Sequence, residues 1–284
     1  MRARLLTTFM SVSLAATLLG YAGAQAPQVT PPVSTAPAIS DAQIEDFLLN
    51  AKVIRTKTSK KGITGTLQAT LTDGTLTHDA QIQTIDERKA QFVSDKGTEF
   101  NFRDSWSFNV AAYKVDRLIG MQMVPVSVAR RWRSQEAAFT WWIDDVLMDE
   151  GERLKKKLQP PSSAAWNQQM QLVRMFDQLI ANIDRNMGNL VITRDWRMWA
   201  IDHTRAFRTY NTLSTPKNVT RVDRAVVARL KALDRDAMKT TDKYLSSFEI
   251  DALLKRRDAI IERLEMLGPA ALYDRMEWAI TPPS

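Results

Sequence analysis

The chain has 284 residues, 44% hydrophobic and 25% charged, with no cysteine and a formal charge of +7. Such a composition suits a folded chain with a sizeable core. It excludes a disulfide framework and a lipid-modified cysteine anchor. The densest basic runs, Lys155-Lys156-Lys157 and Arg130-Arg131-x-Arg133, read as solvated faces, so no nucleic-acid partner is expected.

Arg2 and Arg4 precede an apolar stretch over residues 5–20 and the small residues Ala22-Gly23-Ala24. This predicts a signal peptide over residues 1–24, with cleavage after Ala24 and export to the periplasm or medium. The stretch is shorter and more polar than the ~20 apolar residues of a spanning helix, so the mature chain is expected to lack a membrane span. Cleavage would remove two arginines and no acid, lowering the charge to +5. Residues 25–40 form a Pro-rich linker. Ser40 is placed to cap a helix carrying Ile44, Phe47 and Leu48.

Strands are predicted over residues 52–58, 67–71 and 75–85. Lys60-Lys61-Gly62-Ile63-Thr64-Gly65 forms a basic turn between the first two, and Thr72-Asp73-Gly74 is a hairpin turn. Helical spacing resumes at residues 108–121, ending near Gly120. Apolar runs over 124–132 and 137–146 suggest a second hairpin. Helices follow over 164–181, 222–233 and 248–267, the last opened by the capping box Ser246-x-x-Glu249. The fold class is therefore α+β: a β-rich half with one helix, then a larger helical half, joined near residues 144–151.

Between the first and second of these helices lies ANIDRNMGNLVITRDWRMWAIDH, residues 181–203. Two short apolar runs flank the turn at Arg194-Asp195 and read as a hairpin. Its outer ends carry Asp184 with Asn189 on one side and Asp202 on the other. Two carboxylates and an amide are hard oxygen ligands suited to Mg²⁺ or Mn²⁺. Asp184 and Asn189 also have the Asp-x4-Asn spacing of a kinase catalytic loop. The residues alone leave two readings open, a polar turn or a catalytic loop.

The run from Phe176-Asp177 through Asp184-Arg185-Asn186-x-Gly-Asn189, followed by Ile201-Asp202-His203, resembles the atypical kinase superfamily. That group includes the phosphatidylinositol 3- and 4-kinases, the HipA toxin kinases and the secreted Golgi kinases. Residues 109–120, with Val124-Pro125 after them, look like its N-lobe helix and next strand. The resemblance implies a two-lobed protein-kinase-like fold, with an N-lobe over residues 41–147, a C-lobe over 148–278 and a tail over 279–284. It implies ATP and Mg²⁺ or Mn²⁺ as cofactors and a hydroxyl acceptor, with protein, lipid, sugar and small molecule all open. Asp184 and Asn189 would be catalytic, and Asn189 and Asp202 would hold the metal. Lys61, Gly62 and Gly65 would cover the phosphates, and Asp149 would bound the adenine pocket.

The chain departs from that pattern where active members pair a third-strand lysine with a helix glutamate. Gln83 stands for the lysine and Asn109 for the glutamate, and the two amides are expected to hydrogen-bond each other. Lys61 or Lys89 is the alternative source of the missing charge. Two functions follow: phosphate transfer, or a pseudokinase serving as a binding or scaffold module. Transfer of an AMP group is a third. His203 reads as a structural residue behind the hairpin or as a partner of Asp202, and His78 as structural.

Overall fold

The computed structural model describes residues 39–58, 66–94 and 97–276. The leader, most of the linker, the tail and the basic turn with Lys61, Gly62 and Gly65 lie outside them.

Helix α1 (Asp41–Asn50) begins with a reciprocal cap. Ser40 Oγ accepts from the Gln43 N–H, and Gln43 Oε1 accepts from the Ser40 N–H. Strands β1 (Lys52–Thr58), β2 (Leu67–Thr72) and β3 (Thr77–Gln83) then form an antiparallel meander. The β2–β3 turn has Gly74 at φ +95°, a conformation glycine adopts without strain. Asp73 Oδ1 accepts from the N–H groups of Thr75 and Leu76 across it.

The next pair was not anticipated. Strands β4 (Asp86–Ser94) and β5 (Gly97–Ser105) make a separate two-stranded ladder. Its charged sequence hides the alternation, and only Phe92, Phe100 and Phe102 mark it. Phe92 packs on Phe102 at 4.4 Å between ring centres.

Helix α2 (Ser107–Ile119) is buried on nearly every side. It packs against strands β6 (Ser127–Trp132) and β7 (Gln135–Trp141). These complete a five-stranded antiparallel sheet in the order β1-β2-β3-β7-β6. Gly120 ends α2 at φ +69°, where a Cβ would stand 2.9 Å from Arg229 Nε. Asp116, wholly buried, accepts from the Met123 N–H at 2.9 Å and ion-pairs with Arg117. The turn into β6 is thereby pinned.

The run expected as a strand to residue 146 breaks after Trp141. Strand β8 (Val146–Asp149) then starts a second sheet with β9 (Leu190–Thr193) and β10 (Met198–Ala200), in the order β10-β9-β8. The short helix α3 (Glu150–Lys155) follows β8. Helices α4 (Ser163–Leu179), α5 (Arg224–Ala232) and α6 (Ser247–Leu267) form the helical part. Arg256 of α6 is fully buried and donates to the carbonyls of Leu179, Arg208 and Tyr210. It closes the end of α4 and holds the segment that follows β10. The whole is a β-rich N-terminal part and a helical C-terminal part. Among the described residues no helix is long and apolar enough to cross a membrane.

Candidate functional site

The chain leaves α4 at a polar turn built on Asp177. Asn182 donates to Asp177 Oδ1 at 3.0 Å, and Asn182 Oδ1 accepts from the Asp184 N–H at 3.1 Å. Asn186 Oδ1 accepts from the Asn189 N–H at 3.2 Å, which sets the single turn before β9. Asn and Asp favour such side-chain-to-backbone turns. The ladder pairs Leu190 with Ala200, Val191 with Trp199 and Ile192 with Met198. The Ile201 N–H therefore reaches the Asn189 carbonyl at 3.0 Å, and Asp202 follows at once.

Arg185 fastens the two ends together. Its Nε and Nη2 donate to Asp177 at 3.0 Å. Its Nη1 donates to the carbonyls of Asn189 at 3.1 Å and Ile201 at 2.8 Å. Its Nη2 also contacts His203 Nε2 at 2.9 Å. Arginine has no acceptor, so Nε2 accepts and the imidazole is neutral. The sequence reading assigned Arg185 no role. Arg185 and Asn186 entered it only as part of the Asp-x4-Asn spacing and of the loop resemblance.

Asp202 has φ +56°, an uncommon conformation for a residue with a Cβ and one that aspartate tolerates better than most. Its carboxylate accepts from Thr204 Oγ1 at 3.2 Å. Loss of solvent raises its pKa. The Thr204 hydrogen bond and Arg185 oppose that shift, and the charge of Asp184 adds to it. Asp184 and Asp202 thus share one electrostatic environment, with Asp184 exposed and Asp202 half-buried. A third acid is present that sequence reasoning missed. Asp104, at the end of β5, is buried, and its Oδ1 has no hydrogen-bond partner among the described residues. Burial raises its pKa and Asp202 adds to the shift.

The N-terminal part meets this site through the two amides. Asn109 Nδ2 donates to Gln83 Oε1 at 2.7 Å, the contact expected from the sequence. Asn109 Oδ1 accepts from the His203 N–H at 2.8 Å, a link that was not expected. One amide of α2 therefore ties β3 to the residue after Asp202. Gln83 and Asn109 are 1% and 5% exposed, so a charge placed there needs a partner. Gln83→Lys alone is expected to cost about 3 kcal/mol of stability, as an uncompensated buried charge does. Adding Asn109→Glu should recover at least half. Urea unfolding of the two single variants and the double variant measures the coupling, and simple additivity contradicts it.

His203 is fully buried, with its ring edge-on to Phe176 at 6.0 Å. Burial first, then Arg185, lowers its pKa well below the ordinary histidine value. The unfolded chain binds a proton near pH 6.5 that the folded chain refuses, so stability falls as pH drops through that value. Between pH 7.5 and 5.5 this one group should cost about 1.4 kcal/mol. Comparing urea unfolding of the wild type and His203→Gln at both pH values isolates it. Equal pH slopes for the two proteins contradict a neutral buried imidazole.

The other predicted positions fall in different places. Asp149 caps α3, with Oδ1 accepting from the Glu152 N–H at 2.8 Å. Gln83 lies at the inner end of β3, and its buried Nε2 has no partner among the described residues. Lys89 pairs with Glu87 at 2.7 Å on the β4–β5 ladder. His78 stacks on Trp141 and contacts Asp144 at 2.6 Å, as suits a structural residue. Among the described residues no three His, Cys, Asp or Glu side chains are grouped closely enough to hold a metal unaided. Asp184, Asn189 and Asp202 carry the kind of oxygen donor that a hard divalent ion takes, but they do not form a closed ligand set, so water or phosphate would have to supply most of its shell.

No protein-family model and no curated protein sequence matches the chain. Solved structures do. The Fam20 protein of hydra, solved with sugar, superposes with a TM-score of 0.62 at 15% identity, covering 82% of this chain and 92% of its own. The Golgi casein kinase with Mn and ADP bound gives 0.58 at 11% identity, over 81% of this chain and 76% of its own. A second structure of the Golgi casein kinase gives 0.57 at 12% identity, over 84% and 80%. The chain shares its fold with hydra Fam20 and the Golgi casein kinase.

Proposed function

We propose that this chain is an exported, divergent kinase-like phosphotransferase acting on a hydroxyl acceptor. The observation that carries the reading is the β9–β10 hairpin, fastened by Arg185, which gathers Asp184, Asn189 and Asp202 at one edge. Asp184, exposed and with no hydrogen bond to its carboxylate among the described residues, would take the proton of an incoming hydroxyl. That hydroxyl oxygen bonds to the terminal phosphorus of ATP as the bridging P–O bond breaks, and the nucleoside diphosphate leaves. Asn189 and Asp202 would supply oxygens to Mg²⁺ or Mn²⁺, which would neutralise phosphate charge. The unpartnered Gln83 Nε2 offers a donor where the superfamily uses lysine. Residues 60–65 would close over the phosphates, and the leader directs export.

The Gln83–Asn109 pair favours a second reading: a pseudokinase that keeps the fold and serves as a binding module. Thermal-shift titration of the mature chain with ADP, Mn²⁺ and both together tests the first. A joint shift larger than either alone is expected. A folded chain that ignores millimolar ADP with Mn²⁺ removes the kinase reading.

A further inference from the structure

Ladder β4–β5, residues 207–210 and Glu249 line a partly open cavity of about 400 Å³. Its walls include Arg88, Lys89, Arg103 and Arg208 against one acid, Glu249. The register makes this arrangement unfavourable. Arg88 and Arg103 stand directly opposite each other across the two strands, where like charges repel. Arg103 is offset by its ion pair with Glu249, and Lys89 by Glu87. Arg88 is exposed, with no ion-pair or hydrogen-bond partner among the described residues.

Beneath the ladder, Arg208 is 6% exposed. Its Nη1 donates to the Arg103 carbonyl at 2.8 Å, and its Nη2 meets Glu99 at 2.7 Å. Its Nε has no partner among the described residues, and neither has the buried Nε of Arg103. Burial lowers the Arg208 pKa. The cavity is therefore walled by more cationic donors than it has acceptors, at a cost in repulsion and desolvation. Guanidinium forks in this situation match oxyanions. A partly open pocket of this size, rather than a stripe along the surface, suits one anionic group better than a polyanion.

Strand β5, which lines the cavity, also runs on to the candidate site. The Ser105 N–H donates to the Thr204 carbonyl at 2.9 Å, two residues beyond Asp202. Asp104 lies between Arg103 and that contact. Phe100 and Tyr210 line the same cavity and are both exposed.

We infer that this cavity is an acceptor-side subsite that takes an oxyanion, a phosphate-type group carried by the molecule whose hydroxyl is modified. The word acceptor rests on the proposed function; the binding of the anion does not. The test is calorimetric titration of the folded mature chain at low salt with inorganic phosphate and with glycerol 3-phosphate. The variants are Arg88→Glu, at an exposed position, and Arg208→Gln. The ester should bind more tightly than inorganic phosphate, and each variant should weaken it by about tenfold or more. The ADP–Mn²⁺ thermal shift should stay unchanged in Arg88→Glu. Absence of binding to about 10 mM, or binding that survives both substitutions, overturns the subsite. Equal affinity for ester and free phosphate overturns its assignment to the acceptor. A wild-type chain that binds the ester but ignores ADP with Mn²⁺ refutes the kinase reading and retains the anion site.

Discussion

Arg185→Met is expected to destabilise the protein by about 3–5 kcal/mol, the cost of leaving one half of a buried ion pair unpartnered. Arg185 and Asp177 are 11% and 10% exposed, so solvent cannot replace the lost donors. The loss goes beyond one pair. The Asn189 and Ile201 carbonyls lose their guanidinium donor, and His203 Nε2 loses its contact with Arg185. Arg185→Lys should rescue poorly, because an ammonium cannot span Asp177, two carbonyls and an imidazole at once. Removing both partners, as Asp177→Asn with Arg185→Met, should cost less than the sum of the single changes. Denaturant unfolding of the four proteins measures this. A loss under about 1 kcal/mol for Arg185→Met would show that the network is not what holds the hairpin ends together.

Asp184→Asn should act the other way, sparing stability and removing transfer. The side chain is exposed, and only its backbone N–H is engaged in the loop. A positioned general base contributes about 10²–10⁴-fold in rate, and a drop of that size is expected in transfer of labelled terminal phosphate to any acceptor the wild type modifies. The ADP–Mn²⁺ thermal shift should persist, since Asn189 and Asp202 are untouched. Transfer that survives within threefold excludes Asp184 as the base. If the wild type binds nucleotide and transfers nothing, Asp184→Asn has no effect and the pseudokinase reading stands.

Much of this arrangement is carried by local chemistry. Short apolar runs around Arg194-Asp195 and alternating ones around Asp73-Gly74 determine two hairpins, because each run is of strand length and is interrupted by a turn. Ser40 with Gln43 and Ser246 with Glu249 determine two helix starts, since each cap needs only three intervening bonds of chain. Asp184, Asn189 and Asp202 could be marked in the same way, as the ends of a hairpin that must close on itself. The kinase resemblance then supplied Gln83 and Asn109, and with them the amide contact.

Other features were decided only by tertiary packing. Ladder β4–β5 is charged along most of its length, and what orders it is Glu99 meeting Arg205 and Arg208 more than a hundred residues away. Strand β8 needs β9 beside it to exist as a strand. Arg185 could as well have been a solvated side chain, until burial left its donors no partners but Asp177, two carbonyls and His203. Asn109 reaches His203 across 94 positions, and Asp104 comes to Asp202 from the far end of another sheet. Hydrophobic period and turn preference act over a few residues and can be read directly from sequence. The pairing of buried polar groups depends on which surfaces lose water together, and that is set only when the two parts of the chain close on each other.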